Sequence, residues 1–435
     1  MSISINPLKK SQLLGATLAV LGFHKFMPLH HGSQGCTAFI KNILTQHFRE
    51  ITPMQTTAVF NISAIMGSSS EIVEGLKSVI DASKPAAVCI ITTSLTQLRG
   101  DDVRIAVKDF RRNYPEHNST EIFILPTTDF EDDAEKGFAD AILTIIDSIA
   151  FEREQDNYIM IFGNFSLTPA DIDEIKYIVE LFDVKPLFYP DLSETLGSIN
   201  NFYYKLPTGG SVYKKILKKP LAAIGIGHST KKILQSLNNK GIDTRMFPSL
   251  TGLKNTDDFL DFLFLLTGKK PHNRLINQRN RLIDTMLDAH FYLGGFEVAI
   301  AAEPDLLYSI YYFLAKELGM KIIKSLTTSE REDLDDLLDE YTVGDLFDFE
   351  KTAKKARLIL TNSNGELISE KYNIAHYNIG FPIKNEIAYH LKKFIGYDGS
   401  LCLLRDIANI ALKHTEDKSY SYKNYKGVKY ESCIL

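Results

Sequence analysis

Residues 298–323 read VAIAAEPDLLYSIYYFLAKELGMKII, and this stretch contains one complete structural repeat. The apolar run Val298 to Ala301 is typical of a buried strand. Pro304 then suits the first position of a helix, and apolar residues recur on one helical face until Gly319, a residue that favours a helix C-terminus. A second apolar run, Met320 to Ile323, follows. The stretch therefore predicts a strand–helix–strand unit with parallel strands, whose ligand sites lie at the carboxyl ends of the strands.

Two similar blocks precede this one. In the first, a capping box at Ser68 and Glu71 starts a helix, and the apolar run Ala86 to Thr93 follows as a strand. In the second, the run Tyr158 to Phe162 precedes Thr168-Pro169, which suits a helix start. The sequence predicts an α/β fold with three domains, each a parallel sheet flanked by helices. The predicted boundaries are residues 1–155, 156–292 and 293–435, the last with an exposed tail.

Composition excludes several classes of protein. The 435 residues carry 49 Lys and Arg against 54 Asp and Glu, so no overall positive charge is present to attract nucleic acid. The apolar stretch from Ser11 to His24 is shorter than the roughly 18 to 20 residues that a membrane helix needs. Gln12, Gly15 and Thr17 dilute that stretch, which disfavours a signal peptide. We expect a globular protein of the cytoplasm that binds no membrane.

The four cysteines are Cys36, Cys89, Cys402 and Cys433, and no two of them are close enough in sequence to form a local zinc or ferredoxin-type site. Cys89 and Cys402 lie in apolar runs and are predicted to be core residues, whereas Cys433 lies in the tail. Cys36 follows two glycines and precedes an amphipathic stretch, which places its thiol near a helix N-terminus, where the thiolate is favoured.

Three roles for Cys36 are open on this basis: a buried core residue, a ligand of a metal or cluster, and a nucleophile. One thiolate cannot hold an iron-sulfur cluster by itself. A cluster at Cys36 would therefore have to be shared with another polypeptide.

Other candidate sites carry weaker signals. Gly225-Ile226-Gly227-His228 lacks the third glycine of a dinucleotide fingerprint and is predicted to be a tight turn. Thr208-Gly209-Gly210-Ser211 could form an anion-binding nest or an ordinary turn. The ten acidic residues between Glu330 and Glu350 are predicted to form a solvated helix face. His30 and His31 flank the Cys36 turn, and because adjacent side chains point to different sides, we expect at most one to act there.

A resemblance to a known family rests on short motifs along the whole chain. They are dense over roughly residues 7 to 105: Pro7 to Gln12, Gly15-Ala16, Leu21-Gly22, Met27-Pro28-Leu29, His31 to Phe39, His47 to Glu50, and Gln55 to Ala58. Sparser matches follow, including Thr208-Gly209-Gly210, Met286 to Phe291 and Glu303 to Leu307. Together they resemble the β-type subunits of the nitrogenase component 1 superfamily, and most closely the N-type subunits of the E/N cofactor-assembly scaffold. The resemblance implies three Rossmann-like domains.

Two substitutions select the branch within this superfamily. Catalytic β subunits, which help to hold an eight-iron P-cluster, carry Cys at three positions that here align with Ser11, Cys36 and Ser94. Because a Ser hydroxyl is a poor ligand for iron, the resemblance disfavours a P-cluster in this chain. In the E/N scaffold the same interface holds a 4Fe-4S cluster with three Cys from E and one from N. Cys36 matches that single N ligand.

The resemblance implies assembly of a cofactor rather than turnover of a substrate. The chain is expected to pair with an E-type α subunit in an α2β2 heterotetramer. A precursor cluster, supplied by a donor protein and held mainly by E, would be matured there with molybdenum and homocitrate into the iron-molybdenum cofactor, with help from the nitrogenase iron protein, and passed to apo-nitrogenase. Met66 aligns with the apolar residue that catalytic β subunits present to the iron protein.

Four alternatives remain beside this interpretation. They are an N-type scaffold subunit of the vanadium system, a catalytic β subunit of nitrogenase, a subunit of a dark-operative tetrapyrrole reductase, and a binding protein with three α/β domains and no metal.

Overall fold

Three parallel β-sheets contain most of the apolar runs of the sequence in the computed structural model, which describes residues 8–59, 69–128, 132–196, 205–338 and 340–419. Helices cover these sheets, so their central strands are buried on both faces and consist almost entirely of apolar residues. The predicted α/β class with parallel sheets is confirmed. One of the three sheets lies in each of the predicted segments 1–155, 156–292 and 293–435, whose boundaries stay predictions.

The first sheet has the strand order β2-β1-β3-β4. Its strands are β1 (Phe26–His31), β2 (Gln55–Thr56), β3 (Ala87–Thr92) and β4 (Glu121–Leu125). Its helices are α1 (Gln12–Leu21), α2 (Gln34–Phe48), α3 (Ser69–Ser83), α4 (Ser94–Arg99), α5 (Val103–Asn113) and α6 (Ala134–Asp147). β1 and β3 pair over their full lengths, from Phe26 opposite Ala87 to His31 opposite Thr92. The chain therefore leaves both strands at one carboxyl edge.

The second sheet has the order β10-β9-β6-β7. A separate two-stranded ribbon consists of β5, which precedes the sheet in the chain, and β8, which lies between β7 and β9 in the chain. The strands are β5 (Ala150–Gln155), β6 (Tyr158–Phe162), β7 (Lys185–Tyr189), β8 (Ile216–Lys219), β9 (Ala222–Ile226) and β10 (Thr244–Phe247). The helices are α7 (Pro169–Glu180), α8 (Lys231–Asn239), α9 (Leu253–Thr267) and α10 (Asn273–Leu293). Thr168 and Asp171 form the capping box of α7, with Pro169 at its first position as predicted.

The third sheet has the order β13-β12-β11-β14-β15. The strands are β11 (Glu297–Ala301), β12 (Lys321–Thr327), β13 (Thr342–Val343), β14 (Leu358–Thr361) and β15 (Ala375–Asn378). The helices are α11 (Pro304–Tyr311), α12 (Glu332–Leu337), α13 (Leu346–Ala353), α14 (Glu366–Tyr372) and α15 (Gly396–Ser419). The predicted strand–helix–strand unit is present, but the helix widens to a π-helix over Tyr312–Glu317 before Gly319 ends the connection with φ of 66°.

Close helix contacts place α1 against α6. A Cβ atom on Gly15 would lie 1.8 Å from the carbonyl oxygen of Ala134, and one on Gly137 would lie 2.2 Å from that of Gln12. The two glycines thus let the two helix backbones approach each other closely, which fixes the start of α1 against the start of α6. None of the described helices is both long and apolar enough to cross a membrane.

Candidate functional site

Cys36 lies in the first turn of α2, the helix that follows β1. The chain leaves the buried strand end at His31, turns through Gly32 and Ser33, and enters the helix at Gln34. Cys36 is exposed, and Ser33 donates a hydrogen bond from Oγ to the Cys36 sulfur at 3.5 Å. The predicted position at a helix N-terminus is therefore observed, whereas a buried core role for this thiol is excluded.

Ser11 and Ser94 also lie at helix starts. Ser11 is the N-cap of α1, and its hydroxyl accepts a hydrogen bond from the Leu14 N–H at 3.3 Å. Ser94 is the first residue of α4, which follows β3. Because β1 and β3 are parallel neighbours, α2 and α4 begin at the same sheet edge. The start of α1 points to that edge as well, since Thr17 in the middle of α1 hydrogen-bonds to His30 near the end of β1.

His30 is fully buried and links two of these helices. Its Nε2 lies 2.8 Å from Thr17 Oγ1 on α1, and its Nδ1 lies 3.0 Å from Thr37 Oγ1 on α2. Burial lowers the pKa of His30 to about 4, so the imidazole is neutral at pH 7. His30 therefore acts as a neutral cross-link between α1 and the helix that carries Cys36.

His31 is equally buried and makes its contacts on the other side of the strand. Its Nδ1 lies 3.0 Å from Thr57 Oγ1 and its Nε2 lies 3.0 Å from Asp101 Oδ2. The carbonyl oxygen of His31 accepts hydrogen bonds from the hydroxyls of Thr93 and Thr96, both at 3.1 Å, which tie β1 to the start of α4. The contacts agree with the expectation that at most one of the two histidines acts at the Cys36 turn, because the His30 side chain bonds to α2 through Thr37, whereas the His31 side chain contacts Thr57 and Asp101.

Large apolar side chains are exposed on the two helices that start at this edge. Phe39 on α2 is 63% exposed, and Leu95 and Leu98 on α4 are 46% and 72% exposed. We call Phe39, Leu95 and Leu98 the apolar patch. Exposed apolar residues on helices that start at one edge of a fold are typical of a surface that another protein covers. The position of Phe39, three residues after Cys36 on an amphipathic helix, is the signal that could have identified this patch from the sequence.

The remaining predicted residues do not join Cys36. Cys89 is buried in β3, and burial raises the pKa of its thiol far above the usual range. Cys402 is half-buried in α15, where burial also raises its pKa. Met66 and Cys433 lie outside the described residues. Among the cysteines that the structure describes, Cys36 is thus the one with an exposed thiol. These residues therefore fit a single bond from this chain to a cluster.

A second polar cluster lies where the three sheets meet. Arg331 is its centre: Nη1 donates to Glu135 at 2.7 Å, Nη2 to Asp305 at 3.0 Å, and Nε to Asp333 at 2.8 Å. Asp305 also accepts hydrogen bonds from the backbone N–H of His228 at 2.9 Å. Glu135 belongs to the first segment, His228 to the second, and the other three residues to the third. This cluster, the Arg331 junction, therefore ties the three sheets together.

Two predictions from the sequence bear on this junction. The turn predicted at Gly225 to His228 is present, with φ of 95° at Gly227. The solvated acidic face predicted between Glu330 and Glu350 is wrong for Asp333, whose mostly buried carboxylate pairs with Arg331 and lies 3.2 Å from His228 Nδ1. The reason is that Arg331, the residue directly before α12, donates a hydrogen bond to the Asp333 carboxylate and so holds the start of this short helix in the junction.

The buried carboxyl group of Glu303, at the N-cap of α11, should make the stability of the folded chain depend on pH. Burial raises its pKa to about 7, and the charge on Asp133 acts in the same direction while Lys10 opposes it. The folded protein thus keeps a proton that the unfolded chain releases between about pH 4.5 and 7, so stability falls as the pH rises through this range. We expect Glu303→Gln to remove on the order of 2 kcal/mol of that pH dependence, measured as the unfolding free energy at pH 5 and pH 8.

The matched control is Glu370→Gln, which changes an exposed carboxylate on α14 and should leave the pH dependence as it is. If the unfolding free energy of Glu303→Gln changed with pH as much as that of the unmodified chain, the raised pKa of Glu303 would be contradicted.

Comparison with known proteins shows which family this chain resembles. The model of the family described as "Nitrogenase component 1 type Oxidoreductase" matches residues 11–412. The chain is 36% identical over 421 residues to the "Nitrogenase iron-molybdenum cofactor biosynthesis protein NifN" of Nostoc sp., covering 95% of both chains. It is 32% identical to the protein of the same name from Bradyrhizobium diazoefficiens, covering 95% of this chain and 90% of the other.

The solved structures point to the same fold. A chain of the structure titled "Nitrogenase Cp1 at pH 6.5" superposes with a TM-score of 0.91 at 25% identity, covering 99% of this chain and 97% of that one. A chain of "Nitrogenase Cp1 at pH 5" superposes with a TM-score of 0.69 at 10% identity, which shows the fold alone.

Proposed function

Since this chain belongs to the nitrogenase component 1 type oxidoreductase family, we propose that it is a scaffold subunit on which the iron-molybdenum cofactor of nitrogenase is assembled. Relatives that match it over nearly its whole length are named as cofactor biosynthesis proteins, which supports this role over that of a catalytic β subunit. In this role the chain by itself turns over no substrate and acts in the cytoplasm.

The observation that carries the proposal is the exposed thiol of Cys36 at an edge where Ser11 and Ser94 offer hydroxyls. A 4Fe-4S cluster needs four thiolate ligands, and Cys36 supplies one from outside the buried core of this chain. The other three would come from the partner subunit. Cys36 would hold the cluster, which would supply an electron-transfer centre when bound. The His30 side chain holds α2, the helix that carries this thiol, and the His31 carbonyl oxygen holds the start of α4.

The partner in this proposal is an E-type α subunit in an α2β2 heterotetramer. The apolar patch of Phe39, Leu95 and Leu98 supports a protein interface beside Cys36, because burying these side chains would add hydrophobic stabilisation to the pairing. The precursor cluster is received from a donor protein, is held mainly by the partner, and is matured there with molybdenum and homocitrate before transfer to apo-nitrogenase. The iron protein docks on the same complex, with Met66, outside the described residues, as the proposed contact.

Anaerobic co-purification tests this function. The chain is expressed with its E-type partner in cells that lack the precursor-cluster donor, so that interfacial iron is measured alone. We expect about four iron atoms per pair of subunits and the paramagnetic resonance signal of a reduced 4Fe-4S cluster. About eight iron atoms per pair would favour a catalytic β subunit, and an iron-free complex would contradict the proposal.

A further inference from the structure

We propose that His30 and Thr37 form a positioning pair that sets the direction of the Cys36 thiol toward the cluster. The inference rests on the proposed function, because it concerns the ligand that the chain gives to the shared 4Fe-4S cluster. It adds two residues, neither of them a ligand, whose hydrogen bond determines how Cys36 presents its sulfur.

The first turn of α2 has little else to hold it. Its N-cap, Ser33, makes no side-chain capping bond to the helix backbone, and its hydroxyl points instead to the Cys36 sulfur at 3.5 Å. Gln34, Gly35 and Cys36 are exposed, so Thr37 is the first buried side chain of the helix. The hydrogen bond from Thr37 to His30, at 3.0 Å, therefore connects the start of α2, one residue after the thiol, to the buried strand β1.

The hydrogen bonds of His30 also fix its tautomer. Thr17 Oγ1 lies 2.6 Å from the carbonyl oxygen of Leu13 and donates its one proton there. Thr17 Oγ1 must then accept its second hydrogen bond from His30 Nε2–H, at 2.8 Å. The His30 Nδ1 atom is left as an acceptor, and Thr37 Oγ1 donates to it. The chain from Thr37 through His30 and Thr17 to Leu13 thus runs in one direction and resists rotation of the Thr37 side chain.

The consequence for the cluster follows from the geometry of ligands. Groups that hold a metal ligand from behind determine its orientation, and their loss typically weakens metal binding about 10- to 100-fold. Without the Thr37 hydroxyl, the exposed first turn of α2 loses its hydrogen bond to His30 on the buried strand. Cys36 would then sample several directions, and both the lifetime of the cluster and its spectrum should change.

The test compares four variants in the complete anaerobic complex: Thr37→Val, Thr37→Ser, Thr17→Val and Thr45→Val. Thr37→Val keeps the shape of the side chain but removes the hydrogen bond, and we expect interfacial iron to be lost to a chelator about 10-fold faster, with an altered paramagnetic resonance signal. Thr37→Ser keeps the hydroxyl and should restore both. Thr17→Val removes the hydroxyl that accepts from His30 Nε2–H, so the tautomer of His30 is no longer fixed. This variant should alter the paramagnetic resonance signal in the same direction as Thr37→Val. Thr45→Val, an exposed site on the same helix, is the control and should behave as wild type.

The outcomes separate the two proposals. If the wild-type complex has no interfacial cluster, the proposed function fails, and the positioning role fails with it. If the wild-type complex holds the cluster, but Thr37→Val and Thr17→Val only lower the thermal midpoint and leave the signal and the chelation rate unchanged, the pair is merely structural and the inference alone is overturned. Should Thr37→Val not fold, the signal of Thr17→Val decides.

Discussion

A Cys36→Ala chain is expected to lose nearly all of the interfacial 4Fe-4S cluster while keeping its fold. The thiol is exposed and accepts a hydrogen bond from the Ser33 hydroxyl, so its removal creates no cavity in the core. One of four iron–sulfur bonds would be missing, and the remaining three would belong to the partner. The measurement is iron content and the paramagnetic resonance signal of the anaerobically purified complex, with circular dichroism as the check on folding.

Two further cysteine variants sharpen this result. Cys402→Ala removes a half-buried thiol on α15, away from the edge of the first sheet, and should retain full interfacial iron. Cys36→Ser replaces the thiol with a hydroxyl, the group that Ser11 and Ser94 carry. Because a hydroxyl is a poor ligand for iron, this variant should lose the cluster almost as completely as Cys36→Ala does. A wild-type cluster signal in Cys36→Ala would exclude Cys36 as a ligand and would mean that the partner holds the cluster by itself.

The Arg331→Met variant is expected to show the largest loss of stability. Arg331 neutralises Glu135 and Asp305, whose side chains are 2% and 0% exposed. Burial and the neighbouring charge of Asp305 already raise the pKa of Glu135, so removing the cation leaves the two buried acids with backbone hydrogen bonds but without the compensating charge of Arg331. Breaking a buried ion pair from one side typically costs about 3 to 5 kcal/mol. We expect a loss of about 3 kcal/mol, measured by chemical denaturation.

The control for this prediction is Arg405→Met, which removes an arginine paired with Asp406 on the surface of α15. Surface pairs contribute about 0 to 1 kcal/mol, so this variant should be nearly neutral. Adding Glu135→Gln to Arg331→Met should recover part of the lost stability, because one buried acid is removed. If Arg331→Met proved as stable as Arg405→Met, the Arg331 junction would not be what holds the three sheets together.

The two sites differ in how far sequence could predict them. The position of Cys36 at a helix N-terminus follows from Gly32, Gly35 and the amphipathic stretch behind them, all of which are local in sequence. Its assignment as a cluster ligand came from the resemblance and from cysteine spacing, and it stays a prediction. The contacts of His30 could not be predicted, because Thr17 and Thr37 reach it only after α1 and α2 have packed on β1.

The Arg331 junction was missed for the same reason. Nothing within the acidic run from Glu330 to Glu350 distinguishes Asp333 from its solvated neighbours. Its role arises from Glu135 and His228, which lie far away in the sequence and approach it only where the three sheets meet.

The amino-acid sequence by itself determined the α/β class, the three parallel sheets, the helix starts and the isolated thiol at Cys36. These features depend on apolar periodicity, capping residues and spacing within short segments, so each can be recognised without the rest of the chain. Only the tertiary structure decided which residues come together: Ser11, Cys36 and Ser94 at helix starts along one sheet edge, His30 between two helices, and Arg331 among acids from different segments of the chain. Such contacts form between residues distant in sequence, and their geometry is fixed by the packing of whole helices and sheets, which no local pattern specifies.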